Sequence, residues 1–249
     1  MITESKVTEI FCIADDFCKE FDGEMAKNAL PSTADTPKRK RKRMMSDAEV
    51  ITILICFHFN SYRNFKHYYL GCVRIHWKHL FPQTFSYNRF VEVMPRCFVA
   101  MTMFLRLACF GECTGISFVD STCIPVIHNK RQFNMKVFKD IAAKGKSTMG
   151  WYVGFKLHLL CNEKGELINF VLTRANVDDR NEAVIDTLTD RVFGKLYADK
   201  GYISQSLFGH LWDDGIHIVT GLRSNMKQRL MPFYDRMMLR KRSIIESIN

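Results

Sequence analysis

Apolar residues recur at helical spacing through the first part of the chain. Between residues 4 and 30 they stand three or four positions apart on an acidic background, at Ile10, Ile13, Phe17, Phe21 and Met25. This spacing predicts an amphipathic helix. After the turn-rich linker Pro31–Pro37, the capping box Ser46–Glu49 predicts the start of a second helix, and the helical pattern continues to about Phe110. We therefore expect an all-helical N-terminal module.

The pattern changes after Gly115, where β-rich runs begin. Five runs are expected to be strands: Ile116–Val119, Trp151–Cys161, Leu167–Thr173, Lys195–Ala198 and Ile216–Thr220. Residues 162–166 read as a hairpin turn. Helices are expected over 178–190, capped by Asp178 or Asp179, and over 204–212 and 239–248. Three β-rich runs followed by alternating helices and strands predict an α/β (α+β) fold, a mixed sheet with flanking helices.

Charge is unevenly distributed along the chain, which has 36 Lys+Arg and 26 Asp+Glu. The net charge is −5 over residues 1–37, +10 over 38–110 and +5 over 111–249. Concentrated positive charge favours a polyanionic partner, since neutralising phosphates releases counterions. We therefore divide the chain into an acidic helix with its linker (1–37), a basic helical DNA-binding module (38–110) and a sheet-containing domain (111–249).

Six consecutive cations open the basic module: Lys38, Arg39, Lys40, Arg41, Lys42 and Arg43. Because a basic segment follows, we expect this run to contact DNA; a solvated arm without a fixed partner is the alternative. His128 with the basic loop Asn129–Arg131 is a further candidate for DNA contact. The stretch Lys136–Lys146 holds four lysines and Gly145, which suggest a flexible loop over the site.

Two aspartates occupy unusual positions. Asp120 ends the first predicted strand and Asp199 ends the fourth. A carboxylate at the end of an apolar strand is destabilised unless something compensates for lost hydration. If the two strands are parallel neighbours, both carboxylates converge at one edge of the sheet. Glu246 lies on the last predicted helix, four residues after Arg242 and hence on the same helical face.

Carboxylates that lie close together repel one another unless a cation neutralises them. Oxygen-only ligands suit Mg²⁺, and a pair of ions can activate an attacking oxygen and stabilise a leaving one. Each acid also has a simpler interpretation: Asp120 caps a turn, Asp199 begins the Lys-Gly-Tyr turn, and Glu246 only pairs with Arg242. Three acids in this order beside a basic module favour the metal site.

Five segments closely resemble bacterial insertion-sequence transposases of the DDE type: Val119–Thr122, Gly154–His158, Thr173–Asp179, Ala198–Tyr202 and Leu239–Glu246. The resemblance covers roughly residues 45–249, and the Asp-Lys-Gly-Tyr and Arg-x-x-x-Glu elements are its most specific parts. It implies an RNase H-like catalytic domain over residues 111–249, in which Asp120, Asp199 and Glu246 are catalytic and bind metal. It also implies that Lys200 and Arg242 lie near the DNA backbone.

The function that this resemblance implies is DNA transposition: metal-dependent phosphodiester hydrolysis at the ends of an insertion sequence, then strand transfer into target DNA. The expected cofactor is two Mg²⁺ ions per site, with Mn²⁺ as a substitute. The expected partners are double-stranded DNA, as terminal repeats and target, and a second copy of the chain, because two ends are cut. Related transposases carry a Lys beyond the Glu, whereas this chain stops three residues after Glu246. We therefore expect a truncated product. The alternative to an active transposase is a catalytically inactive remnant that still binds the ends of the element.

Other classes of function lack their motifs in this sequence. Without a G-x-x-x-x-G-K-[ST] loop or a G-x-S-x-G elbow, neither a nucleotide cofactor nor a serine hydrolase is indicated. No apolar run reaches the roughly 18 residues that a bilayer crossing requires. The nine cysteines form no C-x-x-C pair, which argues for free thiols. We expect a cytoplasmic, nucleoid-associated bacterial protein without a membrane partner.

Lys156 and His158 alternate along the predicted strand 151–161 and therefore face the same side. A solvated strand face is the simpler interpretation of this pair. The alternative is a role for both side chains at the catalytic edge of the sheet.

Overall fold

The computed structural model describes residues 2–28, 43–147, 150–224, 226–227 and 230–248. The chain divides into two compact units, Met1–Cys109 and Phe110–Asn249. The α-helices of the first unit are α1 (Glu4–Lys27), α2 (Asp47–His58), α3 (Phe65–His67), α4 (Tyr87–Val93) and α5 (Phe98–Phe104). Tighter or wider helical turns complete it at Tyr68–His76, Met94–Cys97 and Leu105–Cys109. The predicted N-terminal helical module is confirmed, and no described helix is long and apolar enough to cross a membrane.

The helices of the first unit share one hydrophobic core. Helix α2 begins at the predicted capping box: Ser46 Oγ accepts a hydrogen bond from Glu49 N at 3.1 Å, and Glu49 Oε2 accepts one from Ser46 N at 2.7 Å. The acidic helix α1 packs into the same core as α2. The division of this unit into an acidic segment, 1–37, and a basic module, 38–110, stays a prediction.

The second unit is a six-stranded mixed sheet with helices on both faces. Its strands are β1 (Ile116–Ile127), β2 (Ala143–Ser147), β3 (Gly150–Asn162), β4 (Leu167–Arg174), β5 (Gly194–Ala198) and β6 (Ile216–Thr220). Its α-helices are α6 (Glu182–Thr189), α7 (Gln205–Asp213), α8 (Phe233–Lys241) and α9 (Ser243–Glu246). The 3₁₀ turns Asn129–Asn134 and Lys200–Tyr202 follow β1 and β5.

The strand order is β2-β3-β1-β5-β6, with β4 also paired to β3. Strand β3 is antiparallel to β1, β2 and β4, whereas β5 is parallel to both β1 and β6. The long β3 has room for two neighbours on one edge, because β2 pairs with residues 150–154 and β4 with residues 155–161. The mixed sheet with flanking helices that the sequence predicts is confirmed.

The two faces of the sheet bury different helices. On one face, Phe118 and Tyr197 pack in a cluster with Met238 of α8 and Ile245 of α9. The opposite face buries a cluster with α6 and α7: Val119, Leu160, Leu196, Ile185 and Leu207. Since successive residues of a strand point to opposite faces, position 120 belongs with position 118 on the α8–α9 face.

The sequence predicts that the first strand ends before Asp120. In the structure, β1 instead continues to Ile127. The reason is its pairing with β3, which is antiparallel and extends from Ser117 to Ile127, whereas β5 pairs with β1 only as far as Phe118. Asp120 therefore lies where the parallel pairing of β1 with β5 has ended and the antiparallel pairing of β1 with β3 continues.

Helix α6 is not capped by Asp178 or Asp179. Its N-cap is Asn181, whose Oδ1 accepts a hydrogen bond from Val184 N at 3.2 Å. Asp178 instead binds the guanidinium of Arg180 at 2.9 and 2.8 Å and also accepts from the Arg180 backbone N–H. Asp178 therefore closes the turn that precedes the helix, and α6 starts later than the predicted residue 178.

Two further segments differ from the prediction. The helix expected over 239–248 is present as α8 and α9, which meet at Arg242. The stretch expected as a flexible loop around Gly145 is strand β2. A Cβ at Gly145 would lie 2.3 Å from the carbonyl oxygen of Ala175, so only glycine lets β2 run this close to the turn after β4.

One buried ion pair attaches α8 to the sheet. Asp235 of α8 is 4% exposed and its Oδ1 accepts from Lys195 Nζ at 2.6 Å and from Tyr197 Oη at 2.8 Å. Burial raises the pKa of Asp235, but the hydrogen bonds from Lys195 and Tyr197 outweigh it and hold this pKa below its usual value.

We predict that Asp235→Ala lowers the free energy of unfolding by about 1.5–3 kcal/mol, because it removes a charged hydrogen-bond acceptor and leaves Tyr197 without a partner. Urea denaturation measures the loss. The matched control is Asp190→Ala at an exposed residue, which should change stability by less than about 0.5 kcal/mol. Equal effects of the two substitutions would contradict the anchoring role.

Candidate active site

Asp120 and Asp199 lie at matching positions of two parallel strands. Phe118 of β1 is aligned with Tyr197 of β5, and each aspartate comes two residues later. Because side chains two apart share a face, both carboxylates belong to the α8–α9 face. The convergence that the sequence predicts therefore follows from the register, although β1 itself runs on.

The turn after β5 holds the Asp199 side chain. Its Oδ1 accepts from Gly201 N at 2.6 Å, so Asp199 also begins the Lys-Gly-Tyr turn, as the simpler interpretation proposes. A Cβ at Gly201 would lie 2.8 Å from the same Oδ1. Glycine thus allows a backbone N–H to approach the carboxylate, and the hydrogen bond orients Asp199.

Arg242 joins the other two acids. Its Nη1 lies 3.6 Å from Asp120 Oδ1 and its Nη2 lies 2.9 Å from Glu246 Oε1. Ile245, fully buried in the cluster with Phe118, holds α9 against the face that carries Asp120. The pairing of Glu246 with Arg242 is therefore real, but the same guanidinium also links Glu246 to Asp120.

The acids of this site influence one another electrostatically. Burial is the main cause that raises the pKa of Asp120 above its usual value. The backbone N–H of Ser121 and the charge of Arg242 lower it, and the negative charges of Asp199 and Glu246 raise it again. Asp120 therefore lies within the field of both other acids, at a place where a cation is stabilised.

The donor set of this site suits a hard divalent cation. Asp120, Asp199 and Glu246 offer only carboxylate oxygens, the ligands that Mg²⁺ prefers, and Arg242 already lies between two of them as a positive group. Among the described residues, one group of three metal-ligating side chains has ligand atoms within 4.8 Å of one another, namely Asp186, His210 and Asp214. That group lies on α6 and at the end of α7, and these helices pack on the face of the sheet opposite to the one that carries Asp120.

The predicted DNA-binding residues fall into two sets. Lys200 and Arg242 lie in the second unit with the acids; Lys200 is exposed and directly follows Asp199, while Arg242 is partly buried between Asp120 and Glu246. Of the basic run, Lys38–Lys42 lies outside the described residues. Arg43 is described, and its guanidinium pairs with Asp47 at 2.8 Å.

The opposite face of the sheet buries a histidine, where the sequence predicts a solvated strand face. His158 is fully buried, with Nε2 3.0 Å from Thr173 Oγ1 and Nδ1 3.8 Å from Asp179 Oδ1. Lys156 Nζ lies 3.0 Å from the same Asp179 oxygen and donates to Val177 O at 2.7 Å. The expectation of a solvated strand face is therefore wrong. The alternation of Lys156 and His158 was visible in the sequence, but the turn that covers them was not.

Residues 110–249 match the family described as "Transposase DDE domain", and this match covers more than half of the chain. The chain belongs to the DDE transposase family. The predicted resemblance is confirmed at this level, and the matched residues coincide with the sheet-containing unit.

Two solved transposase structures are similar to this chain. The first, piggyBac transposase in a synaptic complex with hairpin DNA, is 12% identical with a TM-score of 0.45, over 92% of this chain and 52% of the other. The second, Mos1 transposase in a paired-end complex with the left transposon end, is 12% identical with a TM-score of 0.27, over 80% and 65%. The chain thus spans about half the length of the first. No curated protein sequence matches it.

We predict that His158 makes stability depend on pH. Burial lowers the pKa of His158 below its usual value, with Asp179 opposing and Lys156 adding to the effect. The unfolded chain therefore takes up a proton near the usual value of about 6.5, while the folded chain does not, and the free energy of unfolding falls as the pH drops below that value.

His158→Gln should make this fall shallower by up to about 1.4 kcal/mol per pH unit, measured by urea unfolding between about pH 7 and pH 5. The contrasting variant is His210→Gln. The hydrogen bond to Asp186 raises the pKa of His210, so this histidine stabilises the fold at low pH and its loss should steepen the fall. The same change of slope in both variants would contradict the assignment.

Proposed function

We propose that this chain is a DNA transposase of a bacterial insertion sequence, which hydrolyses a phosphodiester bond at each end of its element and joins the freed ends to target DNA. The observation that carries the proposal is the matched register of Asp120 and Asp199 on one face of the sheet, with Glu246 linked to Asp120 through Arg242. Membership of the DDE transposase family supports it.

Asp120, Asp199 and Glu246 would hold two Mg²⁺ ions, for which Mn²⁺ can substitute. When bound, such ions supply activation of an attacking oxygen and stabilisation of a leaving one. The fit rests on the oxygen-only donors and on the negative field at Asp120, which Arg242 only partly neutralises.

The reaction has two in-line displacements at phosphorus. In the first, a water oxygen forms a bond to the phosphorus and the 3′-oxygen leaves with a proton, which gives a 3′-hydroxyl and a 5′-phosphate. In the second, the oxygen of this hydroxyl bonds to the phosphorus of a target phosphodiester, the 3′-oxygen of the target strand leaves, and the proton lost by the hydroxyl ends on that leaving oxygen. Lys200 and Arg242 would bind phosphate oxygens beside the acids, since both cations adjoin acidic residues of the site.

The basic helical unit would hold the ends of the element. The positive charge of residues 38–110 supports this assignment, because phosphate contacts supply sequence-independent affinity. The run Lys38–Arg43 would contribute such contacts. Two ends must be cut and joined, so the assembly would be a homodimer on DNA.

Cleavage of labelled duplexes taken from the gene's own flanks, with Mg²⁺ or Mn²⁺, tests the chemistry. Asp199→Asn should lower the cleavage rate about 10⁴- to 10⁶-fold, as loss of an essential catalytic group does. It should leave DNA binding equal or slightly tighter, because a repulsive negative charge is lost. A gel shift on the same duplex measures the binding.

The matched control is Asp186→Asn in the other acidic group, which should cut at the rate of the unaltered chain. Loss of cleavage in Asp186→Asn, or normal cleavage in Asp199→Asn, would refute the assigned site. Binding without cleavage by the unaltered chain would point instead to a DNA-binding protein that does not cut.

Replacing Lys38–Arg43 with serine should weaken binding to every duplex and flatten its salt dependence. Each lost phosphate contact reduces the slope of log affinity against log salt by about 0.9. Lys6→Ser with Lys27→Ser, at exposed lysines of α1, serves as the charge control. An unchanged slope after the serine replacement would rule out the run as a phosphate contact.

A further inference from the structure

A tryptophan is exposed next to the edge strand β2 and beside two of its lysines. Trp151 of β3 is 55% exposed. Its partner across the antiparallel pair is Lys146 of β2, and Lys144 lies two residues away on the same face. Their ammonium groups lie over the indole, 4.9 Å from the ring centroid for Lys144 and 5.8 Å for Lys146. Exposed cation–π contacts of this kind contribute little and exchange readily for another partner.

A cavity adjoins this tryptophan. It measures 360 Å³ and is lined by Trp151, Tyr152 and residues 125–129 at the end of β1. This size falls within the range of about 300–1,000 Å³ that is typical of ligand pockets. The side-chain oxygen of Asn129, one of the lining residues, is buried and accepts no hydrogen bond from the described part of the chain.

The surroundings of the cavity are basic. Residues 128–147 contain a single acid, Asp140, against six cations: Lys130, Arg131, Lys136, Lys139, Lys144 and Lys146. Large apolar side chains are exposed in the same segment, with Phe133 at 91% and Val137 at 80%. Positive charge combined with exposed aromatic side chains is the composition of surfaces that bind single-stranded nucleic acid.

We propose that the Trp151 surface, made of Trp151, Lys144, Lys146 and the cavity at Asn129, binds an unpaired DNA strand. A base stacks on the indole, while the two lysines leave the ring for the flanking phosphates. Unpaired DNA fits better than a duplex, because a side chain can stack only on a base whose face is open, and the bases inside a duplex already stack on each other.

The source of the unpaired strand rests on the proposed function, in which strand cleavage at the acids frees DNA ends. Asp120 and Ile127 belong to one strand, β1, and are seven residues apart. This corresponds to about 24 Å at about 3.4 Å per residue. The wall of the cavity at Ile127 therefore lies about 24 Å along β1 from Asp120, within reach of a DNA strand that is bound at the acids. The strand that it takes is the one that flanks the cut.

The probe is fluorescein-labelled oligothymidylate of about 12 nucleotides, which is within the span of one single-strand-binding fold. Binding to the full chain is measured by anisotropy in EDTA, so that no cleavage intervenes, with a blunt duplex of equal length beside it. Trp151→Ala should weaken binding of the single strand about 5- to 150-fold, as the loss of one base–aromatic stack does. It should leave duplex binding within about twofold.

Trp212 offers a matched control. It is equally exposed, at 58%, but it stacks on Phe208 of α7, next to Asp213 and Asp214. Trp212→Ala should leave single-strand binding within about twofold. Trp151→Phe should keep most of the affinity, because the ring is retained, but should abolish the quenching of tryptophan fluorescence that the oligonucleotide causes. Lys144→Gln and Lys146→Gln should each lower the salt slope for the single strand by about 0.7.

Three results would overturn the proposal: single-strand affinity unchanged in Trp151→Ala, equal losses for single strand and duplex, or quenching that persists in Trp151→Phe. Its failure is distinguishable from that of the proposed function. Binding in EDTA does not require cleavage, and cleavage is scored separately by Asp199→Asn. If oligothymidylate quenches the tryptophan fluorescence of the chain but the chain never cleaves DNA, the Trp151 surface is supported and the proposed transposase function is refuted.

Discussion

The parallel pairing of β1 with β5 is the constraint on which the candidate site depends. Three residue pairs, from Ile116 with Lys195 to Phe118 with Tyr197, set the register. The positions of Asp120 and Asp199 relative to each other follow from this register. A shift of one residue would send Asp120 and Asp199 to opposite faces of the sheet. The cores on both faces therefore do more than stabilise the domain, because they hold the alignment that brings two carboxylates together.

The candidate site brings together three acids whose negative charges repel one another. Burial and the neighbouring negative charges both make ionised Asp120 less stable, and Arg242 compensates for part of this. Natural sites keep such local conflicts where function requires them. The pKa of Asp120 stays above its usual value despite Arg242, so a divalent cation would stabilise the ionised carboxylate. The repulsion between Asp120 and Glu246 also explains the arginine that lies between them.

Much of the fold was predictable, because it depends on local patterns. The capping box at Ser46, the hairpin at residues 162–166 and strand β5 before Asp199 all carry their signals within a few neighbouring residues. The full length of β1 and the burial of His158 were not predictable in this way. Both depend on β3 and on the turn that follows β4, which are distant in sequence. For the same reason the two aspartates could be named from the sequence, but the link from Arg242 to Asp120 could not.

The three acids are not held with equal rigidity. Asp120 and Asp199 belong to a sheet whose strands pair on both sides, whereas Glu246 lies 55% exposed on the single turn of α9, which has no side-chain cap. The buried Ile245 anchors this turn, but a single helical turn opens at far lower free energy than a central sheet. Glu246 is thus expected to leave and return while the rest of the domain stays folded. Opening and closing at Glu246 would then be a local event, separate from global folding.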